Sequence, residues 1–171
     1  MKLRYSIALS IPLVSAQAMA ADLALKIDIP QLNVAEYHKP YIAAWLENAD
    51  QKVVTNLAVL YDMKKKDNAG TKWLKDMRQW WRKTGRDLEM PVDGVSGATR
   101  APGEHTLTFP GARDALGKLP AGQYTVVVEA SREAGGRELV KVPVAWPPKG
   151  AKEFAAKGKE ELGDVVVQVK P

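Results

Sequence analysis

The segment Asp93-Gly94-Val95-Ser96-Gly97-Ala98-Thr99 gathers the residues of this chain whose types and spacing suit covalent chemistry. Its two glycines permit backbone angles and close approaches that a Cβ blocks. Ser96 and Thr99 present hydroxyls, and Asp93 can bind a metal or orient a neighbouring hydroxyl. A hydroxyl on a bare, flexible backbone is what an enzyme requires in order to modify the chain at that point. The plainer reading is a Gly-rich connecting turn whose Ser and Thr bond the local backbone. Other constellations are weaker. His38 and His105 lie on separate segments without metal-ligand spacing. Ser96 lacks the strand–elbow–helix setting of a Gly-x-Ser-x-Gly nucleophile. The acidic residues are scattered, with no pair placed for hydrolysis. A haem or metal site using His38 with Tyr37 or Met63 can be drawn, although no motif calls for it. The sequence therefore predicts no catalytic residue and no independent turnover.

The elements that must hold this loop read as a β-rich domain. Leu23, Leu25, Ile27 and Ile29 alternate with Ala24, Lys26 and Asp28, the period of a half-buried strand, which Pro30 ends. Residues 41–47 and 53–61 form two more apolar strands, and the link Asn48-Ala49-Asp50-Gln51 has hairpin length and composition. After a polar loop at Lys64-Lys65-Lys66, Thr71 is placed to cap a helix over residues 72–84 that stops at Gly85. Trp73, Leu74, Met77, Trp80 and Trp81 share one broad side of it. Strand patterns return at 104–109, at 123–131 and 138–144 (a hairpin about Ala134-Gly135-Gly136), and at 161–170. Seven short strands and one inserted amphipathic helix predict a mainly β fold, an immunoglobulin-like antiparallel β-sandwich, with an open barrel as the alternative.

The amino terminus bears on which enzymes can reach the loop. Lys2 and Arg4, an apolar run from Ser6 to Val14 and the small-x-small triplet Ala18-Met19-Ala20 have the layout of a secretory signal peptide over residues 1–20. The apolar run is too short to span a bilayer, and Pro12 interrupts it. Residues 21–171 then form one exported domain, which predicts a periplasmic location and no membrane-embedded segment. The chain has no cysteine, so its core must carry the stability without disulfides. Its formal charge of +5 falls to +3 without Lys2 and Arg4, too little to argue for a nucleic-acid partner.

The loop resembles the Asp-Gly-x-Ser/Thr-Gly-Ala-Thr signature of covalent flavinylation, found in subunits of sodium-pumping quinone reductases and their relatives. There a periplasmic flavin transferase joins FMN by a phosphoester to the final threonine. Every constrained position matches, which at ordinary residue usage happens by chance in under about one chain in a thousand. The resemblance implies FMN on Thr99, within a site made of Asp93, Gly94, Ser96, Gly97 and Ala98. Much of residues 21–171 also resembles a family of exported bacterial proteins known only as a domain of unknown function. That likeness rests on Tyr41-Ile42-Ala43-Ala44-Trp45-Leu46-Glu47, on residues 72–82, and on Ser96-Gly97-Ala98-Thr99-Arg100-Ala101-Pro102-Gly103. Members are often encoded near PepSY-type membrane proteins and flavin transferases, in systems linked to iron acquisition or transmembrane electron transfer.

If Thr99 carries FMN, Arg100 and the backbone amides of the Gly-rich loop are the expected phosphate donors. Trp80 or Trp81 is the expected surface for the flavin ring. Adjacent helical residues diverge by about 100°, so one indole belongs to the core and the other, Trp81, is the more exposed. Arg78, Arg82 and Arg86 would add positive charge or simply face solvent. The expected function is that of a periplasmic electron carrier working with a flavin transferase and a PepSY-type membrane partner. Asp93 is read as a contact for the modifying enzyme. The alternative is a non-catalytic binding or scaffolding module related to metal or haem uptake, with no cofactor.

Overall fold

The computed structural model describes residues 21–111 and 115–171, so the leader expected at residues 1–20 lies outside the described residues. Nine strands form two sheets. They are β1 (Asp22–Ile29), β2 (Tyr41–Glu47), β3 (Val53–Tyr61), β4 (Ser96–Ala98), β5 (Gly103–Phe109), β6 (Gly122–Ser131), β7 (Arg137–Trp146), β8 (Lys152–Lys157) and β9 (Asp164–Lys170). One sheet has the order β5-β1-β9-β8, the other β4-β3-β2-β6-β7. The mainly β sandwich is as the sequence predicts. Two strands were not anticipated. β8 is Lys152–Lys157, whose short stretch between lysines gives little alternation. β4 is three residues of the Asp93–Thr99 motif itself, and it runs parallel to β3, so the sandwich is not antiparallel throughout.

Two apolar layers explain the strand patterns. Between the sheets, alternate residues such as Leu25, Ile42, Ala44, Val126, Val128, Val142 and Val167 form the main core. On the outer face of the five-stranded sheet, Ala43, Trp45, Val59, Tyr61 and Val127 pack against Leu74, Met77 and Trp80. β2 and the end of β3 are buried on both faces, which is why they read as continuous apolar runs rather than alternating ones.

The second layer is not the single helix expected over residues 72–84. Residues Lys66–Asp76 are 3₁₀ turns, the chain bends at Met77 (φ −76°, ψ 72°), and a six-residue helix α1 (Arg78–Lys83) follows. Leu74 from the 3₁₀ turns, Met77 at the bend and Trp80 from α1 are the three fully buried anchors of this layer on the sheet. Thr71 does not cap this segment, because its hydroxyl donates to the Asn68 carbonyl at 2.8 Å. The α1 N–H groups are held instead by Glu129, a fully buried carboxylate on β6. It accepts from the backbone N–H groups of Gln79 (3.0 Å) and Trp80 (2.7 Å) and from Arg137 Nη1 (2.6 Å). Glu47, also buried, accepts from Trp45 Nε1 (2.8 Å) and pairs with Lys83 Nζ (2.9 Å). Two carboxylates thus fasten the helical layer to the sheet, Glu129 through N–H groups that a short helix leaves unpaired and Glu47 through the Lys83 ammonium.

Candidate functional site

The Asp93–Thr99 segment forms the edge of the five-stranded sheet, and most of its residue types have a structural reason. Gly94 takes a left-handed backbone (φ 68°), a conformation that favours glycine. Val95 packs on the outer apolar layer. The Ser96 Oγ accepts from Val92 N–H at 2.8 Å and also bonds the Tyr61 phenol. Burial raises the Tyr61 pKa, and the bond to Ser96 opposes that rise. Gly97 lies against β3, where an added Cβ would sit 2.9 Å from Leu60 Cδ2. Thr99 N–H donates to the Tyr61 carbonyl at 3.2 Å, which fixes the end of the strand. Asp93 and Ala98 are exposed, and Thr99 is half-buried.

Thr99 and Ala98 line a cavity of about 590 Å³ together with Tyr37, His38, Lys39, Tyr41, Tyr61, Asp62, Met63, Lys64, Lys65 and Glu133. The volume falls within the ~300–1,000 Å³ usual for small-molecule sites. Three segments meet there: the 30–40 loop before β2, the end of β3 with the lysines beyond it, and the β6–β7 turn. Tyr41 and Tyr61 meet edge-on, with ring centroids 6.3 Å apart. Burial raises the Tyr41 pKa, and its hydroxyl donates to the Gly70 carbonyl at 3.1 Å, tying the wall to the 3₁₀ segment. Lys65 Nζ sits 4.0 Å from the centre of the Trp73 ring. Tyr41, Lys39 and Glu133 are shared with an adjoining small cleft that Trp73 also lines. His38 lies 3.2 Å from Glu36 and 3.8 Å from Glu133. The Tyr37 hydroxyl is buried without a hydrogen-bond partner among the described residues. Burial raises the Tyr37 pKa, with the charges of Arg132 and Glu161 as lesser influences of opposite sign.

The residues expected at a flavin site are not all brought together. Trp80 is fully buried in the outer layer, its indole N–H donating to Asn56 Oδ1 at 2.9 Å, and so presents no face to a ligand. Trp81 is partly exposed, its ring centroid 6.2 Å from that of Trp80. Asn56 is five residues from Tyr61 along β3, about 16 Å at strand rise. Trp80 therefore belongs to the far end of that strand from Thr99. The separation follows from the bend at Met77 and the path of α1, which sequence periodicity alone does not show. Asp93 and Gly94 border a different, small cleft with Asn56, Phe109 and Leu116. Arg100 follows Thr99 but is exposed and does not line the cavity. Arg78, Arg82 and Arg86 are also exposed, with Arg82 bonded to Gln79 and the Arg78 carbonyl and Arg86 beside Asp87. The cations beside Thr99 are lysines, Lys39 before β2 and Lys64 and Lys65 in the polar loop after β3. Residues 64–89 carry nine Lys or Arg against four Asp or Glu, but of these only Lys64 and Lys65 line the cavity.

His105 is apart, its Nε2 2.7 Å from the Ala101 carbonyl in a local turn. Among the described residues no group of three or more His, Cys, Asp or Glu is placed to hold a metal ion. No helix there is long and apolar enough to cross a membrane.

Fold and cavity together define a β-sandwich with a ligand-sized cleft at one end of its larger sheet and a helical layer on that sheet's outer face. A family model described as "Predicted periplasmic protein (DUF2271)" matches residues 22–164, and the chain belongs to that family. Its location is the periplasm, the compartment that the N-terminal segment predicts. No curated protein and no solved structure matches the chain.

Proposed function

We propose that this chain is a periplasmic flavin carrier, with FMN joined through its phosphate to Thr99 Oγ. The observation that carries the reading is the place of Thr99. The last residue of the flavinylation-like motif, held at the end of an edge strand, opens onto a 590 Å³ cavity lined by three lysines and three tyrosines.

Attachment balances as a phosphoryl transfer. Thr99 Oγ forms a new bond to the flavin-side phosphorus of a flavin adenine dinucleotide, the phosphoanhydride bond breaks, AMP leaves and the hydroxyl proton passes to the transferase. Asp93, exposed and outside the cavity, is free to be read by that enzyme. Lys39, Lys64 and Lys65 supply positive charge for the phosphate in the role expected of Arg100. Tyr37 and Tyr41, with Trp73 next to them, replace Trp80 and Trp81 as the aromatic surface. The flavin supplies electron transfer when bound, and the protein supplies attachment, orientation and electrostatics. In this reading the chain is a carrier that exchanges electrons with a PepSY-type membrane partner.

One observation favours a second reading, a cofactor-free binding module for metal or haem: Tyr37, His38 and Met63 line the same cavity. Co-expression with a flavin transferase followed by intact-mass measurement separates the two. An FMN-sized increment lost in Thr99→Ala supports the first. An unmodified chain that binds haem or iron, and loses that binding in His38→Ala, supports the second.

A further inference from the structure

We infer that the enzyme modifying Thr99 docks by adding an extended segment to the outer edge of β4, which no strand among the described residues pairs. The inference rests on the flavin-carrier reading for the identity of that enzyme, and on the sheet for its mode of binding. β4 is the outermost strand of the order β4-β3-β2-β6-β7. Its register with β3 pairs Val59 with Ser96, Leu60 with Gly97 and Tyr61 with Ala98. Val59 N–H donates to the Val95 carbonyl and Thr99 N–H to the Tyr61 carbonyl. Backbone groups alternate sides along a strand, so Val95, Gly97 and Thr99 face β3 while Ser96 and Ala98 face outward. The Ser96 N–H is used within the turn, at 2.9 Å from the Val92 carbonyl. This leaves the Ser96 carbonyl and both backbone groups of Ala98 as the outward-facing edge.

Edge strands are usually guarded by charge, proline or a covering segment. β4 carries none of these on its own residues, which are serine, glycine and alanine. Ala98 is exposed, and its small side chain leaves room for a second backbone. The unguarded stretch ends at the residue to be modified. An added strand of the transferase would therefore hold Thr99 in fixed register with its active site, main-chain bonds giving affinity and neighbouring side-chain pockets giving selectivity. The motif is then a prescription for an edge as much as for a target. Gly94 and Ser96 set the turn into the strand, Gly97 lets it lie against β3, and Ala98 keeps its outer side open.

The test uses full-length chains co-expressed with a flavin transferase, with FMN incorporation followed by intact mass against time. Ala98→Pro removes the outward N–H. Loading of Ala98→Pro should slow by about tenfold or more, the cost of an unmade main-chain bond plus an unpaired partner. Equal loading of Ala98→Pro and wild type overturns the inference. A wild-type chain that takes no FMN overturns the carrier reading and this inference with it. A second readout does not depend on how well the proline variant folds. In the unmodifiable Thr99→Ala chain, amide hydrogen exchange at Ala98 should slow on adding transferase, and unchanged exchange there refutes edge pairing.

Discussion

The buried carboxylate of Glu129 gives the sharpest stability prediction. One oxygen accepts from Trp80 N–H at 2.7 Å, the other from Gln79 N–H at 3.0 Å and Arg137 Nη1 at 2.6 Å. Glu129→Gln keeps the shape but replaces one acceptor by an NH₂ group that faces a backbone donor. The change forfeits one charge-assisted bond, about 1.5–3 kcal/mol. Glu129→Ala leaves both N–H groups and the arginine unpaired and should cost about 3–5 kcal/mol. For a domain of this size, ~2 kcal/mol lowers Tm by about 4–8 °C. Urea unfolding followed by tryptophan fluorescence reads the loss directly, because Trp80 lies in the layer that Glu129 fastens. Arg137→Ala should cost less than either, since Arg137 is partly exposed and both backbone bonds remain. The reasoning is refuted if Glu129→Gln stays within about 0.5 kcal/mol of wild type, the spread of ordinary surface substitutions.

Three further outcomes follow from the same structure. At Gly85 an added Cβ would lie 2.5 Å from the Trp80 ring, so Gly85→Ala overpacks a rigid, buried aromatic. It should destabilise by about 1–3 kcal/mol in thermal melts. Glu138 is partly buried, which alone would raise its pKa, but the backbone N–H groups of Glu160, Leu162, Lys159 and Glu161 outweigh burial and hold it below its ordinary value of 4.5. A depressed folded-state pKa adds stability above the unfolded value and loses it as pH falls through the folded one. The stability gap between wild type and Glu138→Gln should therefore close on acidification below 4.5, and a gap independent of pH contradicts the assignment. In a loaded chain, replacing Lys39 and Lys64 by alanine should move the flavin midpoint potential to more negative values, because positive charge favours the reduced anionic form. A potentiometric titration showing no shift would remove these lysines from the site.

Much of the sandwich is legible in the sequence because its strands alternate, or run continuously apolar where both faces are covered. Leu23 to Ile29 and Val126 to Val128 report their layers directly. The helical segment misleads because spacings of three and four overlap over a short stretch, so Leu74, Met77 and Trp80 fit an α-helix on paper. What the local spacing does not carry is the packing of Leu74, Met77 and Trp80 on the sheet and the hold of Glu47 and Glu129 on α1, both from residues far away in sequence. The same distance hides the cavity. Thr99 and its motif stand out in the sequence, but Tyr37, Lys39, Tyr41, Lys64 and Glu133 join it only through sheet order and the β6–β7 turn. The lysines at 64–66 stand out in the sequence as a polar loop, but nothing local shows that Lys64 and Lys65 lie beside Thr99.

The most direct test of the account is the intact mass of the exported chain produced with a flavin transferase, measured for wild type and for Thr99→Ala and Thr99→Ser. The account predicts one FMN-sized increment on wild type, none on Thr99→Ala, and retention on Thr99→Ser, which keeps a hydroxyl at the cavity wall. An unmodified wild-type chain, or an increment that survives Thr99→Ala, would contradict it.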